Sequence, residues 1–335
     1  MDVLIDVTPD EIGKYGLKKG SFNEHDATSF KRILKRLEHK RKRLVPGGSA
    51  ANTVALFSSL GGKAAFIGKA GNDSVGNAYI DAMEQAGVKA LFHRSHSMTG
   101  QGICFITPDS ERTFAAHLGA ALELSPGEID SCAKSIHNAR FLHLEGYLFD
   151  RKGIRDAAFR ALEHAKHHGV TVSIDCADPG VILRNKDSFR KILHESADIL
   201  FANEAEAKAL TGHADPRKAL RELARHVDIA IVKTGKNGSL IMRGKRIYTI
   251  KAHKVVAVDT TGAGDAYAGA FLYALSKGHS IPVAGELASF LAAKVVAQKG
   301  ARLEKIPSYN HIIKKGHPIA HVKAHAEAHT IKKKR

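Results

Sequence analysis

The chain has 335 residues, 44% of them hydrophobic, and a formal charge of +17, enough length for one large α/β domain with a sizeable core and an appendage. It opens on Met1-Asp2-Val3-Leu4-Ile5-Asp6 without a basic start and a long apolar run, and it nowhere reaches about 18 uncharged apolar residues, so neither a secretory signal nor a membrane partner is expected and a cytoplasmic protein is. The charge is local: residues 31–43 carry eight Lys/Arg against Glu38, residues 311–335 carry seven against Glu327, and the remainder is close to neutral. Solvated surfaces account for both runs, and nucleic acid is not expected as a partner. A basic nucleic-acid-binding protein stays open as the reading of another class, and steep salt dependence of RNA binding would mark it. Cys104, Cys132 and Cys176 are odd in number and lack C-x-x-C spacing, so they read as reduced thiols.

In chain order, Asp2 to Val7 alternates as a strand does, and Leu17 to Phe22 offers a second short one. Ser29 to His39 places Phe30, Ile33, Leu34 and Leu37 on one helical stripe with basic residues opposite. Pro46-Gly47-Gly48-Ser49-Ala50-Ala51-Asn52-Thr53 follows, where two glycines before small residues let a helix start approach a ligand, though such a pair is also a common turn. Ala64 to Gly68 reads as a strand, Val75 to Ala86 as a helix, and Gly102 to Thr107 with Arg112 to His117 as a β-rich interruption. Arg140–Leu144, Val170–Asp175, Asp198–Phe201 and Ile229–Lys233 are apolar strands separated by helical segments. That alternation predicts a doubly wound, mainly parallel sheet flanked by helices, with the β-rich patches near residues 3–22 and 100–118 forming a small sheet over one edge. Polar residues gather just after the strands: Glu145, Asp175, Asn203 with Glu206, Thr234-Gly235, and Asp259 with Asp265. In open parallel sheets ligands bind beyond those carboxyl ends, so these motifs are expected to converge.

The most informative stretch is Asp259-Thr260-Thr261-Gly262-Ala263-Gly264-Asp265, between an expected strand at Val255–Val258 and an apolar helix over Ala266–Leu275. Unpaired N–H groups at such a helix start make an anion site, and Asp265 at its mouth can take a proton from a hydroxyl that attacks a phosphoryl group there. A tight turn capped by Asp265 is the plain alternative. Likewise Thr234–Gly238 is a hairpin turn as readily as a nucleotide loop, and Asn203 to Glu206 has the spacing of a capping box. After Pro307 the chain turns basic, and His317, His321, His325 and His329 recur at the spacing of one helical face. Apolar residues there are sparse, so a disordered basic tail over 311–335 is expected in preference to a zinc or nickel site.

Residues Asp259 to Leu272 resemble, position by position, the C-terminal signature of the ribokinase-like (PfkB-type) sugar and nucleoside kinases. Gly47-Gly48, Asn52 and Leu60-Gly61 match the spacing of that family's N-terminal signature, and the likeness runs from about Asp2 to Pro307 within a kinase domain expected over 1–310. The resemblance implies an ATP-dependent kinase acting on a primary hydroxymethyl group of a small-molecule sugar or nucleoside. Asp265 would be its base, and the N–H groups of Gly262, Ala263 and Gly264 would hold transition-state charge. It further implies that Asp2, Gly47, Gly48 and Asn52 bind the acceptor under a β-sheet lid, and that Asn203, Thr234, Gly235 and Gly238 line ATP. Glu206 would organise Mg2+ through water. Asp259 and Thr261, with carbonyls near Val295, Gln298 and Gly300, would hold a monovalent cation such as K+. Glu145 to Asp150, Asp198 to Leu210 and the D-T-T-G-A-G-D form look most like the adenosine-kinase-like branch, with ribokinase or fructokinase activity as the nearest alternative and a monomer or homodimer as the expected assembly. Family members begin with a buried strand ending in G-N before the aspartate that Asp2 matches. No such strand precedes Asp2 here, which keeps a non-catalytic, ATP-binding relic open as a rival.

Overall fold

Three strand assemblies form the framework of the structure, a computed structural model that describes residues 1–109 and 112–314. The four histidines expected in the tail lie outside the described residues. In the first part of the chain come β1 (Asp2–Asp6), β2 (Phe22–Glu24), β3 (Arg43–Val45), β4 (Ala64–Gly71), β5 (Val88–Ser95), β6 (Gln101–Ile106) and β7 (Arg112–His117). In the second come β8 (Phe141–Glu145), β9 (Thr171–Asp175), β10 (Ile199–Asn203), β11 (Ile229–Lys233), β12 (Ser239–Arg243) and β13 (Arg246–Ile250).

The large sheet has the order β13-β12-β11-β10-β9-β8. Its strands β8 to β11 are parallel, and β12 and β13 add an antiparallel edge. Ile199 to Ala202 and Ile229 to Val232 are buried without interruption, the pattern of strands covered on both faces. The expected parallel sheet is therefore present, but it is not one unit: β4 and β5 pair with each other as a separate two-stranded parallel sheet. The five-stranded sheet β2-β7-β6-β1-β3 is the expected small sheet, with a core of its own around Val3, Ile5, Phe30, Leu37, Ile103 and Phe105.

Two expected strands are corrected. Of Leu17–Phe22 only Phe22 is extended, because Ser21 N–H turns back to the Lys18 carbonyl and Gly20 adopts a left-handed φ of 76°. Val255–Val258 is not a strand either. Both Val258 and Asp259 donate their N–H to the single carbonyl of Val296, at 2.9 and 3.1 Å, and Val255, Val256 and Val258 are exposed, so no sheet partner or core face is offered to them.

The helix Ala263–Ser276 is buried on every side over Ala266–Leu275, held between the helices Ser49–Ser59 and Ile281–Val296. Gly269 makes one of those approaches possible: a Cβ there would lie 2.5 Å from the Thr53 carbonyl oxygen. This packing brings the two sequence signatures together. Packing continues past the expected boundary at 310, since the short helix Asn310–Ile313 buries Ile312 in the same core and Tyr309 lies against Leu60 and Tyr273.

Candidate active site

The start of the Ala263–Ser276 helix is built as an anion site. Gly262 caps it in the left-handed conformation at φ 77°, and a Cβ at that position would sit 2.6 Å from Ala301, so only glycine fits. Among the described residues the N–H groups of Gly262, Gly264 and Asp265 have no protein acceptor, whereas that of Ala263 reaches the Thr260 carbonyl at 3.3 Å. Of the three expected donors, Gly262 and Gly264 are thus free, Ala263 is partly engaged, and Asp265 N–H joins them.

Asp265 is fixed from the opposite helix. Its Oδ1 accepts the Ser49 hydroxyl at 2.7 Å, and its Oδ2 accepts the Asn52 amide at 2.9 Å. Burial lifts its pKa above the ordinary aspartate value, with the bonds from Asn52 and Ser49 pulling in the opposite direction. A carboxylate held in that way is a stronger proton acceptor than a free one. Asn52 also accepts Arg302 Nε at 2.9 Å on its Oδ1, so its amide links Asp265 to Arg302. Glu145 closes the group, accepting Ala50 N–H at 3.0 Å at the start of the Ser49–Ser59 helix. Its pKa is pushed up to about 7 by burial and by the neighbouring Asp265.

Asp2 lies on the same side, at the start of β1. Gly47 and Gly102 enclose its carboxyl so tightly that a Cβ on Gly47 would meet it at 2.0 Å and one on Gly102 at 2.9 Å. Gly48, at φ 94°, caps the Ser49–Ser59 helix, and Tyr79 donates its hydroxyl to the Gly47 carbonyl at 2.8 Å. Burial raises the pKa of Asp2 while the Met1 ammonium, Arg112 and Arg302 lower it. Of the expected acceptor residues, Asp2 therefore lies against Gly47, Gly48 caps the helix that carries Asn52, and Asn52 reaches Asp265.

The expected nucleotide residues lie across the helix start. Thr234 to Gly238 is a tight hairpin between β11 and β12, closed by Thr234 N–H on the Gly238 carbonyl at 2.8 Å. Gly235 and Gly238 have φ of 55° and 96°, and a Cβ on Gly238 would strike the Ile250 carbonyl. Lys233, one residue earlier, has its Nζ 3.1 Å from where a Cβ on Gly264 would stand and ion-pairs with Asp175 at 2.8 Å. Burial opposes its charge, but Asp175 and Glu206 outweigh it and hold Lys233 above the usual lysine range. Asn203 and Glu206 form the complete capping box, with Asn203 N–H on Glu206 at 2.7 Å and Glu206 N–H on Asn203 at 2.9 Å. Glu206 is pushed up to about 7 by burial, against the pull of Lys233.

Asp259 is a loop staple. Its Oδ1 accepts Thr261 N–H at 3.0 Å, and its Oδ2 accepts Gly300 N–H at 2.7 Å together with the guanidinium of Arg112 from β7. Arg112, Arg302 and Lys233 are the site residues that motif reading missed. Each is a cation placed by tertiary packing, and nothing in its local sequence separates it from the other Lys and Arg.

Among the described residues no helix is long and apolar enough to cross a membrane. A family model described as pfkB family carbohydrate kinase matches residues 21–308. The chain is 28% identical to the adenosine kinase of Saccharomyces cerevisiae, over 92% of this chain and 94% of that one. It is 31% identical to the 5-dehydro-2-deoxygluconokinase of Clostridium beijerinckii, over 88% and 85% of the two chains. Among solved structures, the adenosine kinase from Sinorhizobium meliloti superposes with a TM-score of 0.82 at 31% identity, over 91% of this chain and 93% of that one. With a free-N–H helix start, a carboxylate held at its mouth and this match over most of its length, the chain belongs to the pfkB family of carbohydrate kinases and is a sugar or nucleoside kinase.

Proposed function

We propose that the protein transfers the γ-phosphoryl group of ATP to a primary hydroxymethyl group of a nucleoside, in the manner of an adenosine kinase. The observation that carries the chemistry is Asp265, held by Ser49 and Asn52 beside the unpaired N–H groups of Gly264 and Asp265. The acceptor hydroxyl gives its proton to Asp265 as its oxygen bonds to the γ-phosphorus and the bond from that phosphorus to the bridging oxygen breaks, ADP leaving with the electron pair. The helix start and the Lys233 ammonium hold the charge that develops on the transferred group. Asp2 takes hydrogen bonds from the acceptor's other hydroxyls, and Arg302 fixes Asn52 and with it the base. Thr234, Gly235 and Gly238 run along the donor phosphates.

Magnesium fits this site as a hydrated ion. The oxygens of Asp175, Asn203 and Glu206 beside the phosphate loop already have protein partners, so they would reach the ion through its waters as second acceptors, and Glu206, raised to about 7 by burial, is a carboxyl that a nearby dication would stabilise as the anion. When bound, the ion would neutralise charge on the donor phosphates. A monovalent cation held directly at Asp259 does not fit, because the Arg112 guanidinium already lies on its Oδ2 and would face the ion as a like charge.

The nucleoside reading rests on the likeness to the adenosine kinases. A sugar acceptor is the second reading, favoured by the equal identity to the deoxygluconokinase. The test is an ADP-release screen over adenosine, other nucleosides, ribose, fructose and 5-dehydro-2-deoxygluconate, with ADP tried as an alternative donor and the product's phosphorus position read by NMR. Adenosine turning over fastest, at its hydroxymethyl group, is the expected result. ATP binding without phosphorylation of any acceptor would replace this reading with a non-catalytic one.

A further inference from the structure

We propose that Arg112 is the built-in cation of the loop preceding the Asp265 helix, so that closing the small sheet supplies a charge that would otherwise come from a monovalent metal ion. Asp259 is the anchor of that loop, and its side chain is only 4% exposed. Its two backbone donors, Thr261 and Gly300, join residues 259–262 to the turn after the Ile281–Val296 helix, where Ala301 presses on Gly262. Two neutral donors leave a full negative charge buried, which is strongly unfavourable without a cation beside it. Arg112 meets that need. It is the first residue of β7, opposite Ile106 on β6, and so stands at the tip of the β6–β7 hairpin, with its side chain 13% exposed and its guanidinium on Asp259 Oδ2. A metal ion on the same oxygen would face a like charge at contact distance.

The position of Arg112 gives the pair a second consequence. The same guanidinium also acts on Asp2, whose pKa burial raises and the charges of the Met1 ammonium, Arg112 and Arg302 lower, so its charge is felt on the acceptor side as well as at the anion loop. Residues 259–262 are thus held partly from the small sheet, and the charge of the Asp259 staple is neutralised only while Arg112 of that sheet lies on it. This catalytic consequence rests on the kinase reading. The statement about the cation rests on the geometry alone.

The experiment is a comparison of KCl, NaCl and tetramethylammonium chloride at constant ionic strength, on the full chain and on Arg112→Met, read by thermal midpoint and by ADP release. The wild type should be indifferent to the cation in both readouts. Arg112→Met should lose turnover by about tenfold or more, and in potassium, though not in tetramethylammonium, it should regain thermal stability and part of that turnover. If the variant does not fold in tetramethylammonium, its refolding yield in potassium against tetramethylammonium is the same measurement. A wild type stabilised by potassium, or a variant as indifferent as the wild type, overturns the proposal. The thermal arm needs no acceptor, so a protein that phosphorylates nothing would reject the proposed function and leave this inference to be judged on stability.

Discussion

Replacing Asp265 by asparagine separates chemistry from architecture at this site. The Ser49 hydroxyl and the Asn52 amide both donate to the aspartate, at 2.7 and 2.9 Å. In Asp265→Asn the new carbonyl can keep the Asn52 bond while the new NH2 donates to Ser49, whose hydroxyl accepts as readily as it donates. What is lost is charge assistance, about 1 kcal/mol per bond. What is gained is relief from holding an anion whose pKa burial has raised. These oppose each other, so the net stability change should stay within about 1 kcal/mol, a thermal midpoint shift under about 4 °C for a chain of this size. Turnover has no such compensation. Removing a general base lowers it by about 10² to 10⁴, or about 2.7 to 5.4 kcal/mol of barrier. The assay is ADP release with the acceptor found by the screen, alongside thermal unfolding and ATP binding, which should be unchanged because the phosphate-side residues are untouched. Turnover within about tenfold of the wild type would remove Asp265 as the base, and a large fall in thermal midpoint would show that the carboxylate is structural.

Lys233→Met removes one partner of a buried pair whose side chains are 17% and 8% exposed, and should cost about 3 to 5 kcal/mol in denaturant unfolding; adding Asp175→Asn should restore part of that, and no restoration would refute the pairing argument. Gly262→Ala forces a Cβ to within 2.6 Å of Ala301 at φ 77° and should cost about 1 to 3 kcal/mol with a fall in turnover, whereas wild-type stability would show that the turn relaxes freely. Glu145 has its pKa raised from 4.5 to about 7, so the folded state binds the extra proton between those values. Stability from this group is present below about 4.5, is lost as pH rises through about 7, and levels beyond, so Glu145→Gln should flatten the thermal midpoint across that window; parallel curves for the two proteins would contradict the shift. Cutting after Lys314 should leave unfolding unchanged, while cutting after Pro307 removes buried Ile312 and should cost about 1.5 to 3 kcal/mol.

The parts of the fold that were legible are those where periodicity and burial agree. β9, β10 and β11 read as apolar runs because both their faces are covered, and the helix Ala263–Ser276 reads as uniformly apolar because it is packed on every side. Val255–Val258 misled for the same reason in reverse: its β-branched residues have strand propensity, but propensity forms no ladder without a partner, and the one backbone acceptor Val258 finds is the Val296 carbonyl at the end of a helix. β5 and β13 passed unnoticed because each is half covered and mixes charged with apolar residues, leaving no run and no clean alternation.

The candidate site divides along a similar line. The local geometry at Gly47, Gly48, Gly262 and Asp265 was legible because it depends on close backbone approach and on an adjacent helix start, which short spacing encodes. Arg112, Lys233 and Arg302 were not, because their partners Asp259, Asp175 and Asn52 lie far away in sequence and meet them only after three sheets and two helix packings are in place. The chain's excess of basic residues hid them further, since in 51 Lys and Arg the three that are drawn into the site look like the rest. The carboxylates at the site, Asp2, Glu145, Asp175, Glu206, Asp259 and Asp265, would repel one another if left alone, and the pKa of Glu145 is raised by burial first and by Asp265 second. Each hidden cation relieves a different part of it: Lys233 on the phosphate side, Arg302 behind Asn52, and Arg112 from the small sheet. Of the three, only Arg112 arrives on the small sheet over the site, which makes it the one whose removal should alter how closure and catalysis are linked.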